Sequence, residues 1–398
     1  MCLVSVLETK PLTRQIMEYE KKVIILGNDH TNSLGLVQCL GQSGYTMIAV
    51  VWGAKTGFVK ASRYASQVYS AKNPSACIHI ILQNCVDKSS KTPIIACSDD
   101  AALALEQNKD LLKENFLFEY AVNYSLEQLF VKELQVDLAS RAGFNVPKSQ
   151  LINDLSDFRN EIGYPCIIKP LVSCQGAKSD IRVCRTEEDL EKNIKSLQHT
   201  KRVLLQQYIE RDYEISILGC GLKNGNCLIS CVENKLTLYP KNVGLECLAN
   251  MQPLQDESII RPIQSMIQKI GYVGPFSVEM MHCKTDGKFY FTEINLRNDG
   301  ANSFVYKYGV NLPLNHIEDL MGLPITQFDN FKPGYYIWEM HHTLSLVHRE
   351  LGLLQWYKEL KKSRGFLTYF KSDKKPFYRQ YSNWILTTLR IRKNESYE

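Results

Sequence analysis

The chain has 398 residues, 44% of them apolar and 22% charged, with a formal net charge of +5 at pH 7. That length allows two or three domains, and the composition is ordinary for a soluble globular protein. So small a positive excess does not suit a dedicated nucleic-acid binder; zinc-finger and RNA-binding motifs are lacking, and no stretch is long enough to span a bilayer. The 13 cysteines are odd in number, with no short Cys-x-x-Cys pair, and Met1–Leu7 is far too short for a signal-peptide core. These features predict reduced, mostly buried thiols and a cytoplasmic protein.

Residues 1–20 read as a lead-in. Lys22–Gly27 has the continuous apolar run of a buried parallel strand, Leu34–Gly44 has helical apolar spacing, and Tyr45–Trp52 is a second strand. The loop after the first strand lacks the Gly-x-Gly-x-x-Gly fingerprint, so no dinucleotide site is predicted. Further strands are expected around Gln67–Ser70 and Pro93–Cys97. Ser98 offers an N-cap for the helix Ala101–Gln107, with Asp99 and Asp100 as acidic first-turn residues rather than ligands. Residues 21–125 therefore predict an open, Rossmann-like α/β domain.

Leu126–Ala142 has helical spacing and ends at Gly143, a residue suited to a left-handed cap. Taken alone, Lys132 on this helix is a surface lysine. Phe144-Asn-Val-Pro-Lys148 enters a new strand. In Tyr164-Pro-Cys-Ile-Ile-Lys-Pro170 an apolar strand runs into Lys169, an unusual end for a buried strand unless the lysine meets an anion. Leu171–Lys178 is a small loop with one glycine, Gly176, and backbone amides of such loops can cradle phosphate. Thr186-Glu-Glu-Asp189 has the form of a capping box. Val203–Glu210 and Asp212–Ile217 read as strands, 219–255 as a strand meander, and Ser258–Gly271 as an amphipathic helix. Lys235 and Lys241 could serve a substrate or phosphate loop.

Phe289-Tyr-Phe-Thr-Glu-Ile-Asn-Leu-Arg297 reads as a strand running into a loop. Glu293, Asn295 and Arg297 fall at every second position, so they share one face of an extended backbone. Gly274–Met281 is a preceding strand carrying Glu279, and Thr285–Lys288 is a hairpin turn between the two. The hairpin would bring Glu279 near Glu293. Two carboxylates and an amide oxygen suit Mg²⁺, with Mn²⁺ as a substitute, and Arg297 suits a phosphate or carboxylate.

Glu279 followed by Glu293-Ile-Asn-Leu-Arg297 resembles the metal-binding end of the ATP-grasp superfamily, with Leu296 where proline is frequent. The resemblance covers about Leu126–Gly322. It implies a Rossmann-like domain followed by a two-lobed ATP-grasp domain over 126–323, with the small lobe at about 140–205 and the large lobe at about 206–323. It implies that Lys132 and Lys169 hold ATP phosphates together with the loop around Gly176. The backbone at Gln207, Tyr208 and Ile209 would meet adenine, and Glu214 the ribose. Glu279, Glu293 and Asn295 would hold the metal, and Arg297 would act in catalysis. With Ser62-Arg-Tyr64, the chain is similar to carboxylate–amine ligases of the D-aspartate ligase kind. The implied activity is ADP-forming amide synthesis through an acyl phosphate, on an amino acid or a cell-wall or capsule precursor. The alternatives are a non-catalytic ATP-binding module acting through a partner, and a ligase with a thiol, phosphate or carbon dioxide-derived acceptor.

After the predicted helix Val310–Met321, residues 324–398 form a basic extension. His341, His342 and His348 lack the companions of a zinc site. Trp384–Lys393 reads as a packed helix, with weak contact to a membrane surface as the alternative. A homodimer is compatible with the sequence.

Overall fold

Val23, Ile24, Ile25 and Leu26 have no solvent exposure, as a strand covered on both faces requires. In this computed structural model, the described residues are 21–53, 57–153, 159–170, 182–196, 203–241 and 244–395. The apolar run is the centre of β1 (Lys22–Asn28). Around it lie β2 (Thr46–Trp52), β3 (Ala65–Ala71), β4 (Thr92–Ala96) and β5 (Phe116–Leu117), in the order β3-β2-β1-β4-β5. All four pairings are parallel, and the helices Thr31–Gln42, Pro74–Asn84 and Asp99–Gln107 connect or follow the strands. This is the expected Rossmann-like sheet. Ser98 caps its helix by accepting from the Ala101 amide.

β6 (Tyr120–Ala121) leaves this sheet for the large one described below. A second sheet is antiparallel, in the order β7 (Ser149–Ile152), β10 (Val203–Gln207), β8 (Cys166–Pro170), β9 (Arg182–Cys184). The helix Glu187–Ser196 covers it, started by the predicted capping box, in which Thr186 Oγ1 accepts from the Asp189 amide at 3.2 Å.

The third sheet carries the site. Its strands are β11 (Arg211–Gly221), β12 (Cys227–Tyr239), β13 (Leu245–Gln252), β14 (Tyr272–Cys283), β15 (Phe289–Asn295), β16 (Gly334–Ile337) and β17 (Ser363–Phe366). They run in the order β15-β14-β11-β12-β13-β16-β17, with β6 paired to β14. The helix Glu257–Ile270 lays Ile259, Ile263, Met266, Ile267 and Ile270 against this sheet's core, the 3.6-residue stripe of its sequence.

One expected element differs. The helix expected at 126–142 is two pieces, Leu126–Leu129 and Lys132–Ala142, because Val131 is extended. The second piece is anchored by buried Gln135. Its Nε2 donates to the carbonyls of Leu129 (2.8 Å) and Ile294 (3.1 Å), and its Oε1 accepts from the Ile294 amide. Lys132 therefore opens a helix that is tied to β15. Beyond β15, Asn302–Tyr308 forms a further helix.

The C-terminal segment packs onto the rest. β16 lengthens the large sheet beside β13, and the predicted Trp384–Lys393 helix lies within Lys375–Glu395. Ser62 and the Arg63 amide both donate to Asp373, at 2.5 and 3.0 Å, so the polar contacts of the Ser62-Arg-Tyr64 segment hold this extension. Among the described residues, no helix is long and apolar enough to cross a membrane.

Candidate active site

Alternation along antiparallel strands lines up side chains across a sheet. Here Glu293 on β15 is opposite Glu279 on β14, Glu279 is opposite Ser216 on β11, and Ser216 is opposite Glu233 on β12. In the next rows Asn295 is opposite Ser277, and Glu214 is opposite Lys235. The predicted hairpin thus pairs the two metal-candidate carboxylates directly.

This face opens into a cavity of about 530 Å³. Glu214, Glu279, Glu293, Asn295 and Arg297 all line it. Its other wall comes from the Rossmann-like sheet, through His30, Asn32 and Asp99. Asn32 closes the seam: its Nδ2 donates to the carbonyls of Cys97 and Asn298, both at 2.8 Å.

Arg297 is fixed by acceptors on both sides. Its Nε donates to Asp99 and its Nη1 to Asp299, both at 3.2 Å, while its Nη2 donates to Asn295 Oδ1 at 3.3 Å. Burial would lower its pKa, but Asp299 and Asp99 hold it above its ordinary value, so the guanidinium stays charged. Asp99 lies in the first turn of its helix, as expected, and its side chain also carries the Rossmann-like domain's grip on Arg297. Lys235 Nζ donates to Glu279 Oε2 at 2.9 Å. Burial works against the charge of Lys235, and Glu279, Glu246 and Glu233 more than restore it.

Glu293 is pushed above the usual carboxylate range by burial and by Glu279, against the pull of Lys132, Lys169 and Lys235. Two facing carboxylates that resist joint ionisation are relieved by a divalent cation. With the amide of Asn295 beside them, Glu279 and Glu293 fit Mg²⁺, which takes one or two carboxylates and leaves other positions to phosphate and water. Among the described residues, no group of three or more His, Cys, Asp or Glu side chains is placed to hold a metal ion.

Lys169 is 8% exposed, and its Nζ donates to Gln206 Oε1 at 2.9 Å. Burial and the neighbouring Lys132 push its pKa down to about 8. Lys132, Lys169 and Glu293 therefore share one electrostatic neighbourhood. Gln207, Tyr208 and Ile209 border a different cavity, also about 530 Å³. The Gln207 amide donates to the Lys148 carbonyl at 2.8 Å, and the Tyr208 amide to Pro165 at 3.2 Å. The side chain of Gln207 accepts from the Lys148 amide, so the glutamine placed beside Lys169 is Gln206. Glu214 lines the main cavity and pairs with Arg211 at 2.5 Å. Gly176 lies outside the described residues.

A family model described as an ATP-grasp domain matches residues 137–303. Residues 137–303 form an ATP-grasp domain. The chain is 25% identical over 252 residues to D-aspartate ligase of Enterococcus faecium, covering 58% of this chain and 59% of that one. It is 22% identical over 334 residues to formate-dependent phosphoribosylglycinamide formyltransferase of Bacillus subtilis, covering 80% and 82%. The chain spans 59% of the D-aspartate ligase and 51% of the formyltransferase of Wolinella succinogenes, little more than half of each. Among solved ATP-grasp structures, N5-carboxyaminoimidazole ribonucleotide synthetase in an ADP complex superposes with a TM-score of 0.62 at 15% identity, over 83% of this chain and 85% of that one. L-amino acid ligase of Bacillus licheniformis superposes at 0.58, also at 15% identity, over 75% and 74%.

Gln206, Glu233, His30 and Asn32 were not among the residues singled out from sequence. Glu233 had a readable signal, since it precedes Lys235 by two on one strand. His30 and Asn32 had none, because the cavity reaches them only through domain packing.

Proposed function

We propose that the chain is an ATP-dependent ligase that joins a carboxylate to an amine and releases ADP and phosphate. The observation that carries this reading is the register pairing of Glu279 with Glu293 in one cavity with Asn295 and Arg297, electrostatically linked to Lys169. Lys132 and Lys169 would hold phosphate oxygens of ATP. Glu279, Glu293 and Asn295 would hold Mg²⁺, which supplies charge neutralisation on the phosphates when bound. A substrate carboxylate oxygen attacks the γ-phosphorus, the bond to ADP breaks, and an acyl phosphate results. The amine nitrogen then attacks the acyl carbon, phosphate leaves, and the nitrogen loses a proton to give the amide. Arg297, oriented by Asp99 and Asp299, lies where it can stabilise anionic oxygen during both steps.

An amino acid or a cell-wall or capsule precursor is the substrate we favour, in a cytoplasmic enzyme that is free to form a homodimer. A second reading keeps the catalysis and changes the acid to formate or bicarbonate, in line with the names of the formyltransferase and carboxylase relatives. Phosphate release from Mg·ATP by the purified protein, against pooled amino acids and carboxylic acids, tests both. Release that needs one acid and one amine supports the ligase. Glu293→Ala and Lys169→Ala should abolish release with the fold intact, and an active, folded double variant would sink the assignment.

A further inference from the structure

The acids of the main cavity are not equally satisfied. Asp99 and Asp299 are paired with Arg297, Glu214 with Arg211, and Glu279 with Lys235. Glu293 is backed by Lys132 and Lys169. That leaves Glu233 and Glu246. Glu233 is 1% exposed, lines the cavity, and its Oε1 has no hydrogen-bond partner. Glu246 lines the same cavity, where its carboxylate accepts from its own backbone amide and its charge raises the Glu233 carboxyl.

A buried carboxylate oxygen with no partner is costly unless a donor or cation meets it. Lys235, two residues along the same strand, has its ammonium committed to Glu279. Burial and Glu246 push the Glu233 carboxyl well above the usual range against the pull of Lys235, the one lysine that Glu233 shares with Glu246 and Glu279. Among the described residues, the facing wall adds no lysine or arginine to the cavity lining. Burial lowers the pKa of His30, which favours its neutral ring, and that ring meets Trp338 edge-on at 6.5 Å. A neutral aromatic wall beside carboxylates is the surrounding an alkylammonium favours.

Position relates this pocket to the chemistry. Glu233 is in the same transverse row as Glu279 and Glu293, separated from Glu279 by Ser216 on β11. Two strand spacings put its backbone ~10 Å from that of Glu279. A small molecule can therefore reach from one end of the row to the other.

We propose that Glu233, assisted by Glu246 in a cavity that Trp338 also lines, binds the ammonium group of a substrate, so the ligase takes an amino acid or diamine rather than a neutral or purely anionic compound at this end of the cavity. This rests on the ligase reading for its place in the reaction, but the cation site can be tested without turnover.

The experiment is calorimetric titration of the full chain, in the presence of Mg·ADP, with glycine, L-lysine, D-aspartate and 1,4-diaminobutane. Counterparts in which every amine is N-acetylated or replaced by hydroxyl serve as controls that lack the ammonium. At least one ammonium compound should bind in the millimolar range or tighter, and its control should not. Glu233→Gln should weaken that binding about thirtyfold or more, the size expected when one partner of a buried charge pair is removed. Its Mg·ATP affinity should remain that of the wild type and its urea midpoint should not fall, since glutamine keeps the shape of the side chain. Absence of binding by every ammonium probe, or unchanged binding in Glu233→Gln, overturns the proposal. So does a second Mn²⁺ per chain that is lost in Glu233→Gln, because the site would then hold a metal. Phosphate release is measured on the same samples. Release that survives loss of ammonium binding rejects this site alone, whereas ammonium binding without any release rejects the ligase reading and keeps the site.

Discussion

Lys169 shows how one buried charge sets a pH dependence. Its ammonium ordinarily titrates at 10.5, and in the folded chain at about 8. Between those values the unfolded chain binds more protons than the folded one, so this group's contribution to stability rises with pH across that window. Below about 8 the charged lysine costs stability, a cost that a bound anion such as phosphate would offset. Mg·ATP affinity should therefore fall as pH rises through about 8, and Lys169→Arg should remove the break, because a guanidinium stays charged. Titrating binding at several pH values checks both outcomes. Arg297 and Asp99 give a second case. Their side chains are 19% and 31% exposed, between a surface pair and a buried one. Asp99→Ala should cost about 1–2 kcal/mol in urea unfolding. It should also lower kcat more than it raises the KM for ATP, because it frees the guanidinium without touching Lys169. An Asp99→Ala enzyme with wild-type kcat would remove Asp99 from the orienting role.

At the scale of elements, the helix Lys132–Ala142 decides where two parts of the site meet. Gln135 bonds it to β15, and Gly143 ends it at φ 102°. A Cβ at Gly143 would meet only Pro262, at 3.9 Å, so the cost of a side chain there is conformational rather than steric. Gly143→Ala should lose about 1–2 kcal/mol in urea unfolding, with Mg·ATP binding preserved. Gln135→Ala should behave differently. It leaves the Ile294 amide and carbonyl unpaired in the core and should weaken Mg·ATP binding as well as stability, since Ile294 lies between Glu293 and Asn295. Equal effects on binding from both variants would separate this helix from the positioning of β15.

For the whole molecule, the cavity is a product of assembly. The large sheet supplies the carboxylates, the Rossmann-like sheet supplies His30, Asn32 and Asp99, and the C-terminal segment supplies Trp338. That segment also covers core. Tyr336 and Leu367 are 1% and 2% exposed, and β16 is hydrogen-bonded along β13. Ending the chain after residue 333 would bare the β13 edge and the apolar groups that β16 covers, and the product should be largely insoluble, measured as the soluble fraction after expression. A soluble, ATP-binding truncation would show that the extension is dispensable for folding.

Local chemistry sufficed for much of this. The alternation Glu293, Asn295, Arg297, the turn at Thr285–Lys288 and the apolar run before Lys169 each state their geometry within a few residues, because strand period and turn propensity are short-range effects. The turn accounts for the register as far as Met280 opposite Phe291, and a shift that skips Thr292, visible only in the structure, brings Glu279 opposite Glu293. The break at Val131 was not legible, since the pattern across 126–142 is helical and the competing hydrogen bonds come from Ile294, far along the chain. Nor was the choice between Gln206 and Gln207, where adjacent identical residues differ only in which face of β10 points at Lys169. The commitment of Arg297 to Asp99, the drafting of Ser62 and Arg63 to hold Asp373, and the unpartnered oxygen of Glu233 were settled by tertiary structure alone. Each depends on which distant charge arrives to compensate a buried one, and that is fixed by packing between sheets rather than by any local period.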